Sequence, residues 1–140
     1  MIPTTTYTDE SAQDFQIVSE ADLTTRTYYM NLNKSRIRYY ANGQNAMKQV
    51  IFKILQTERY QHSKIYSDNY GVEFQDLIGA STVFAVPTIE TRIKEALTWD
   101  ERITDVTDFQ FDTKKNVIAV EFVAHTIFGD VAISGVEVNI

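Results

Sequence analysis

The chain has 140 residues, a formal net charge of -6 and no cysteine. A chain of this length can bury a core of its own, and the absence of cysteine excludes a disulfide framework, a thiolate nucleophile and cysteine-ligated zinc. No apolar run reaches the roughly 20 residues of a membrane helix, and the first residues do not have the pattern of a signal peptide, so we expect neither.

Charge is segregated along the sequence. Residues 1–24 carry five acids and no base, residues 25–66 carry eight bases and one acid, and residues 67–140 carry five bases and thirteen acids. A subunit that docks between unlike neighbours could use such a pattern for encounter and register. Alternatively, the three segments interleave in the fold and the charges average out in space.

The first 24 residues are rich in Thr, Asp and Ser and show no period, so we expect a mobile, acidic N-terminal arm. Phe15, Ile17 and Val18 could anchor the end of this arm to the domain or to a partner. The alternative is a frayed terminus without a role. Residues 25–140 are then expected to form a single domain.

Two strands are predicted at residues 25–32 and 36–41, which are rich in aromatic and β-branched residues. Lys34, Arg36 and Arg38 would share one strand face. A basic face beside tyrosines could bind single-stranded nucleic acid by stacking. The acidic overall composition argues against this, and we interpret the face as solvated or as a protein interface.

A helix is predicted at residues 44–58, where apolar residues recur with helical spacing. Those residues are Ala46, Met47, Val50, Ile51, Ile54 and Leu55. In the following segment, Tyr66, Tyr70 and Phe74 are spaced by four and would share one face if they were helical. Gly71 predicts a close backbone approach, and Gly79 predicts a helical cap.

A second amphipathic helix is predicted to have Pro87 in its first turn, with Ile89, Ile93, Ala96 and Leu97 on its apolar side. Three β-strands are predicted after it, with a bulge at Ser134–Gly135. In the second of them, residues 117–127, alternation places Ile118, Val120, Phe122 and Ala124 on one face. The predicted fold class is therefore α+β: two main helices packed on a mostly antiparallel β-sheet, with a C-terminal β-meander.

Several motifs, in their order and spacing over residues 25–140, resemble baseplate wedge proteins of contractile tails from phages and prophages of Gram-positive bacteria. They are Thr57-Glu58-Arg59-Tyr60, then Ile65, Tyr66, Ser67, Tyr70, Gly71, Glu73, Asp76, Leu77, Ile78 and Gly79, and later Arg92-Ile93, Glu95-Ala96-Leu97 and Trp99-Asp100-Glu101-Arg102-Ile103. The resemblance implies a structural, non-enzymatic wedge subunit that starts the sheath and contacts other wedge proteins, the tail tube and sheath subunits. It also implies a location in the tail baseplate of a virion or prophage particle, assembled in the bacterial host cytoplasm.

Two partner interfaces follow from this resemblance. Many relatives read Trp-Glu-Pro-Arg-Ile where this chain has Trp99, Asp100, Glu101, Arg102 and Ile103, and the resemblance implies that this motif touches the helical core of the wedge. An arginine held beside acids is rigid and can engage a partner carboxylate with both arms. The alternative is local: Asp100 or Glu101 pairs with Arg102, and Trp99 belongs to the core.

The second predicted interface is the last strand, with Val136, Val138 and Ile140. An apolar edge strand can pair with another chain, and the resemblance implies strand exchange with sheath subunits. The alternative is an ordinary last strand within its own sheet.

The resembling family is often labelled lysozyme-like, which raises the possibility of catalysis. Glycoside hydrolysis needs two carboxylates about 5 to 9.5 Å apart, and the candidates are Glu58, Glu73, Asp76, Asp100 and Glu101. No polar, aromatic-lined segment surrounds them, and His62 and His125 are too isolated in sequence to suggest a metal site.

We therefore predict that the protein is not an enzyme and that it uses no cofactor, metal or small-molecule substrate. We also predict that it binds neither nucleic acid nor a membrane. Two alternatives stay open. One is a peptidoglycan-degrading hydrolase that uses Glu73 with Asp76 or Glu58. The other is a regulatory protein-binding module on the same fold.

Overall fold

The structure is a computed structural model and describes residues 25–140. The acidic arm predicted for residues 1–24 lies outside the described residues. In chain order, the elements are β1 (Thr27–Asn31), a 3-10 turn (Leu32–Lys34), β2 (Arg36–Ala41), α1 (Gly43–Gln56), a second 3-10 turn (Gln75–Leu77), α2 (Thr82–Thr98), β3 (Ile103–Lys114), β4 (Val117–Thr126) and β5 (Gly129–Asn139). This confirms the predicted α+β class.

The strands form two antiparallel sheets. β1 pairs with β2 in a hairpin, and β3, β4 and β5 form the predicted meander in that order. The predicted bulge is confirmed, because the pairing of β4 with β5 shifts where Ser134 and Gly135 lie opposite Glu121. A bulge bends the strand and increases its local twist.

The core lies between the helices and the meander. α1 packs near β5 and α2 packs near β3. The predicted apolar residues of both helices are buried, apart from Val50, which is partly buried against the core. The predicted inner face of β4 is also buried: Ile118, Val120, Phe122 and Ala124. Residues 25–140 contain no helix that is long and apolar enough to cross a membrane.

The start predicted for α2 was wrong. The helix begins at Thr82, and Pro87 lies inside it rather than in its first turn. The carbonyl of Ser81 accepts the amides of Phe84 and Ala85 and so begins the helix earlier. Proline removes the helical bond to the residue four positions earlier. That residue is Val83, which is 88% exposed, so water can satisfy its carbonyl.

The basic hairpin differs from its predicted face pattern. Lys34 belongs to the 3-10 turn and not to a strand. Tyr39 has a positive φ of 52° at a break in the β1–β2 register. This break lies after Arg38. Arg36 and Arg38 pair in regular register with Asn31 and Tyr29 and therefore share one strand face, so only Lys34 departs from the prediction.

The segment between the helices is an irregular loop held to the end of α1. Val72 donates to the Thr57 carbonyl at 2.9 Å, and Arg59 donates to the Val72 carbonyl at 3.1 Å. The close approach predicted at Gly71 is confirmed, because a Cβ there would lie 2.5 Å from the Thr57 carbonyl oxygen. Only glycine fits this position without moving the backbone.

Candidate partner-docking site

The residues of the predicted wedge-contacting motif form a tight corner between α2 and β3. Trp99 caps the helix, and the backbone then turns, with Ile103 donating to the Asp100 carbonyl at 2.9 Å. The carbonyl of Arg102 accepts the amide of Ile127 at 3.0 Å, which ties the corner to the turn between β4 and β5. The corner is therefore anchored by both the helix and the meander.

Asp100 and Arg102 form a fork inside this corner. Asp100 Oδ1 accepts from the Arg102 amide at 3.0 Å and from Arg102 Nε at 2.8 Å, and Oδ2 accepts from Nη2 at 2.6 Å. The side chains are only 17% and 23% exposed. Paired, charge-assisted bonds of this kind fix the guanidinium plane. The pairing of Asp100 with Arg102, given above as the local alternative to a partner contact, is thus present. It holds the Arg102 side chain rigid.

The electrostatics of the fork favour the ionised pair. Burial by itself raises the pKa of Asp100, but the hydrogen bonds from the Arg102 side chain and backbone outweigh it and hold the pKa below its ordinary value. The hydrogen bond to Asp100 raises the pKa of Arg102. A carboxylate in this state is unsuited to act as a general acid near neutral pH.

Trp99 lies beside the fork and is 55% exposed. The alternative that placed Trp99 in the core is wrong, because the helix end directs it to the surface. A cleft of about 230 Å³ opens next to it, lined by Ile54, Ser67, Asn69, Tyr70, Ala96, Trp99 and Asp100. Glu101, the other acid of the motif, is exposed.

Tyr70, which lines this cleft, stacks on Tyr66. The rings of Tyr66 and Tyr70 lie 4.4 Å apart and are nearly parallel, although the segment is not helical. Desolvation, together with the neighbouring Tyr66 and Asp100, raises the pKa of Tyr70. Tyrosine, tryptophan and arginine dominate the energetic centres of protein interfaces, so this cleft and corner have the composition of a docking site.

Other motif residues hold the loop that carries these tyrosines. Arg59 donates to the Gly71 carbonyl and forms an ion pair with Glu95 of α2. The Glu58 carboxylate accepts the amides of Phe74 and Gln75. These contacts join the end of α1, the loop and α2, so this part of the motif supports the site rather than forming its surface.

The same geometry bears on the hydrolase alternative. Asp76 is held by both arms of Arg92, whose Nη2 donates to Oδ2 at 2.8 Å. The Arg92 side chain lowers the pKa of Asp76. Glu58 is occupied by backbone amides, as described above. Neither of the partners suggested for Glu73 is thus a free carboxylate facing a cleft.

His125 takes part in a cross-strand polar chain. Its Nδ1 lies 2.7 Å from Asp130 Oδ1, and its Nε2 lies 2.7 Å from Thr107 Oγ1. Within residues 25–140, no cluster of metal-binding side chains reaches three members.

The second predicted interface lies on β5, which is an edge strand of the meander. Val138 is buried at 1% exposure, while Val136 and Ile140 are half-buried and pack against the core. Their side chains therefore contribute mainly to the domain itself.

The backbone of β5 offers a different set of groups. Ile140 donates to the Asn116 carbonyl at 2.8 Å, so its amide points towards β4. Amide directions alternate along an antiparallel strand, and the amides of Val138 and Val136 therefore also point inward. Glu137 and Asn139 point their amides and carbonyls outward. Sequence reasoning missed these two residues because side-chain hydrophobicity does not report backbone direction.

The two sites lie at opposite ends of the meander. The Arg102 corner adjoins the turn between β4 and β5, and Glu137 and Asn139 lie at the far end of β5. Glu137 and Asn139 lie eight and ten residues beyond Gly129, which is about 26 to 33 Å along the strand at roughly 3.3 Å per residue.

The chain belongs to the contractile injection system sheath initiator family, whose family model matches residues 14–129. It is 35% identical over 128 residues to the phage-like element PBSX protein XkdS of Bacillus subtilis (strain 168), across 89% of this chain and 90% of that protein. These findings confirm the resemblance to a phage tail baseplate family. The chain is accordingly a structural component of the phage-tail type.

Proposed function

We propose that this protein is a non-enzymatic wedge component of a contractile tail baseplate, on which the first sheath subunits assemble. The observation that carries the proposal is the placement of two unlike surfaces at opposite ends of one three-stranded sheet. One end offers a rigid arginine with exposed aromatic groups, and the other offers a strand edge. A subunit with this layout can join two different neighbours.

The corner is the proposed contact to other wedge proteins. Arg102 is fixed by Asp100, so little conformational entropy is lost when a partner binds its guanidinium. Trp99 provides exposed apolar surface next to the cleft, and Glu101 adds a charge at its rim. An apolar anchor beside a desolvated charge is the usual composition of an interface centre.

The β5 edge is the proposed contact to the sheath. An extended segment of a sheath subunit would add to β5 through the outward amides and carbonyls of Glu137 and Asn139. Such strand addition derives its affinity from main-chain hydrogen bonds. Val136, Val138 and Ile140 would contribute by holding β5 on the core. The tail tube is the third proposed neighbour. The particle is proposed to assemble in the host cytoplasm.

We propose no catalytic role for this chain. Asp76 and Asp100 both have arginine partners that favour the ionised form, and Glu58 is bonded to backbone amides. Glycoside hydrolysis requires a carboxylic acid with a raised pKa opposite a second carboxylate. Asp76 and Asp100 do not meet the first of these requirements, because their pKa values are lowered.

The test is to purify tail particles from the producing host and quantify this protein against the tube subunit by mass spectrometry, with soluble lysate as the control. Constant stoichiometry with baseplate proteins supports the proposal. Absence from particles, with the protein free in the lysate, would overturn it. Peptidoglycan turnover by the purified protein that is lost in Glu73→Gln would overturn the non-enzymatic part.

A further inference from the structure

The β1–β2 hairpin and α1 form a basic unit without acids. Residues 25–57 contain six bases and not one Asp or Glu. Lys34, Arg36, Arg38 and Lys48 are all exposed, and none of them forms an ion pair with another residue in the part of the chain that the structure describes. Four cations thus lie on this surface without a described counter-charge.

The hairpin also exposes large apolar side chains. Tyr28, Ile37, Tyr39 and Tyr40 are each more than half exposed, and Tyr28 stacks on Tyr40 with the rings 5.3 Å apart. Contiguous exposed apolar surface on a small domain is typical of an interaction site.

A groove of about 510 Å³ runs between β1, α1 and the β5 bulge. Met30, Phe52, Leu55, Ile133 and Val136 supply apolar lining, and Lys48 lies among the lining residues. The groove is held open on one side by Gln49, which accepts from the Met30 amide at 2.9 Å and donates to the Tyr28 carbonyl at 2.7 Å.

The complementary sequence is the chain's own residues 1–24. This segment carries Asp9, Glu10, Asp14, Glu20 and Asp22 and no base, and its acids lie on both sides of Phe15, Ile17 and Val18. It joins the domain at Thr25, whose hydroxyl accepts the Gly43 amide at 2.8 Å beside the base of the hairpin. At about 3.3 Å per residue, 24 extended residues reach far beyond the length of the hairpin.

We infer that residues 1–24 bind in the same chain across this basic face, with the apolar cluster of residues 15–18 in the groove. The tether raises the effective concentration of the segment, and charge complementarity sets where it binds. This inference goes beyond the proposed function and does not depend on the partners proposed there.

Carbodiimide coupling of the full-length protein tests the inference, because it joins a carboxylate to a lysine amine only when the two are in contact. We expect the acids of residues 1–24 to couple to Lys34 and Lys48 about ten times more than to Lys53 or Lys115. Lys53 is the matched control, since it is exposed on the same helix but does not line the groove. Coupling should fall severalfold in 1 M salt, where the Debye length is about 3 Å.

A mixture of nitrogen-15-labelled and unlabelled protein separates the possible sources of these cross-links. Links within one isotope support the inference. Mixed-isotope links would overturn the same-chain assignment in favour of a second copy. Equal coupling to Lys53 and Lys115, or coupling that salt leaves unchanged, would overturn the docking itself.

Discussion

The Asp100 carboxylate accepts hydrogen bonds from both the backbone amide and the guanidinium of Arg102, two residues further along the chain. The same carboxylate therefore both stabilises the turn and orients the arginine side chain. Residues two apart achieve this because the chain bends directly after α2. The consequence is an arginine with one defined orientation at the surface of the corner.

Replacing Arg102 with Ala should leave the domain folded but prevent its incorporation into particles. The loss of the charge-assisted bonds should lower the free energy of unfolding by about 2 kcal/mol. Arg102→Lys is the matched control: it keeps the charge but not the fork, so incorporation should be weakened rather than restored. Thermal unfolding and the amount of protein in purified tails are the measurements, and normal tails from Arg102→Ala would exclude a role at this interface.

The fork also predicts a pH dependence. Because the folded pKa of Asp100 is lowered, its contribution to stability is present above the unfolded pKa of about 3.9 and is lost as the pH falls through the folded value. The stability difference between the native chain and Asp100→Asn should therefore shrink in acid. Urea unfolding at pH 7 and at low pH measures it, and a difference that is independent of pH would refute this assignment.

Gly71→Ala should be strongly destabilising, by about 3 kcal/mol, because a new Cβ would meet the Thr57 carbonyl at 2.5 Å in addition to the cost of positive φ. Gly79→Ala is the matched control. Gly79 also has positive φ, but a Cβ there would have no neighbour within 4 Å, so the cost should be about 1 kcal/mol. Chemical denaturation measures the free energy of unfolding of both variants. Equal losses in Gly71→Ala and Gly79→Ala would show that the close approach at Gly71 has no energetic importance.

Arg92→Ala should cost more stability than Lys94→Ala, although both residues form ion pairs on α2. Arg92 donates to the Glu73 carbonyl at 2.6 Å and holds Asp76 by two bonds, so its loss should cost about 2 kcal/mol. Lys94 contacts the exposed Asp105, where solvent screens the ion pair, so its loss should cost less. The urea-unfolding midpoints of the two variants measure this difference. A larger loss of stability in Lys94→Ala than in Arg92→Ala would contradict the structure.

Where apolar periodicity was regular, the sequence predicted the fold well. The stripe of α1, the inner face of β4 and the bulge at Ser134–Gly135 were all found from spacing alone. The close backbone approach at Gly71 was predictable for another reason, since glycine has no Cβ to obstruct it. These features follow from local rules that tertiary contacts did not override.

The remaining features depend on contacts between distant residues. Proline favours the first turn of a helix because its missing amide is tolerated there, yet the Ser81 carbonyl begins α2 five residues before the turn that Pro87 suggests. The local alternative places Trp99 in the core, but whether this side chain is buried depends on the direction in which α2 ends. Arg92 was matched to the family motif, but its pairing with Asp76 could not be read from spacing.

We propose that one end of the meander binds the wedge and that the other end starts the sheath. Glu137→Pro tests it most directly, because proline removes an outward amide that the domain does not use. Glu137→Gln keeps that amide and is the control. Electron microscopy should show Glu137→Pro particles that contain this protein in their baseplates but carry tubes without sheath, while Glu137→Gln tails are normal. Fully sheathed tails from a folded Glu137→Pro protein would contradict the claim.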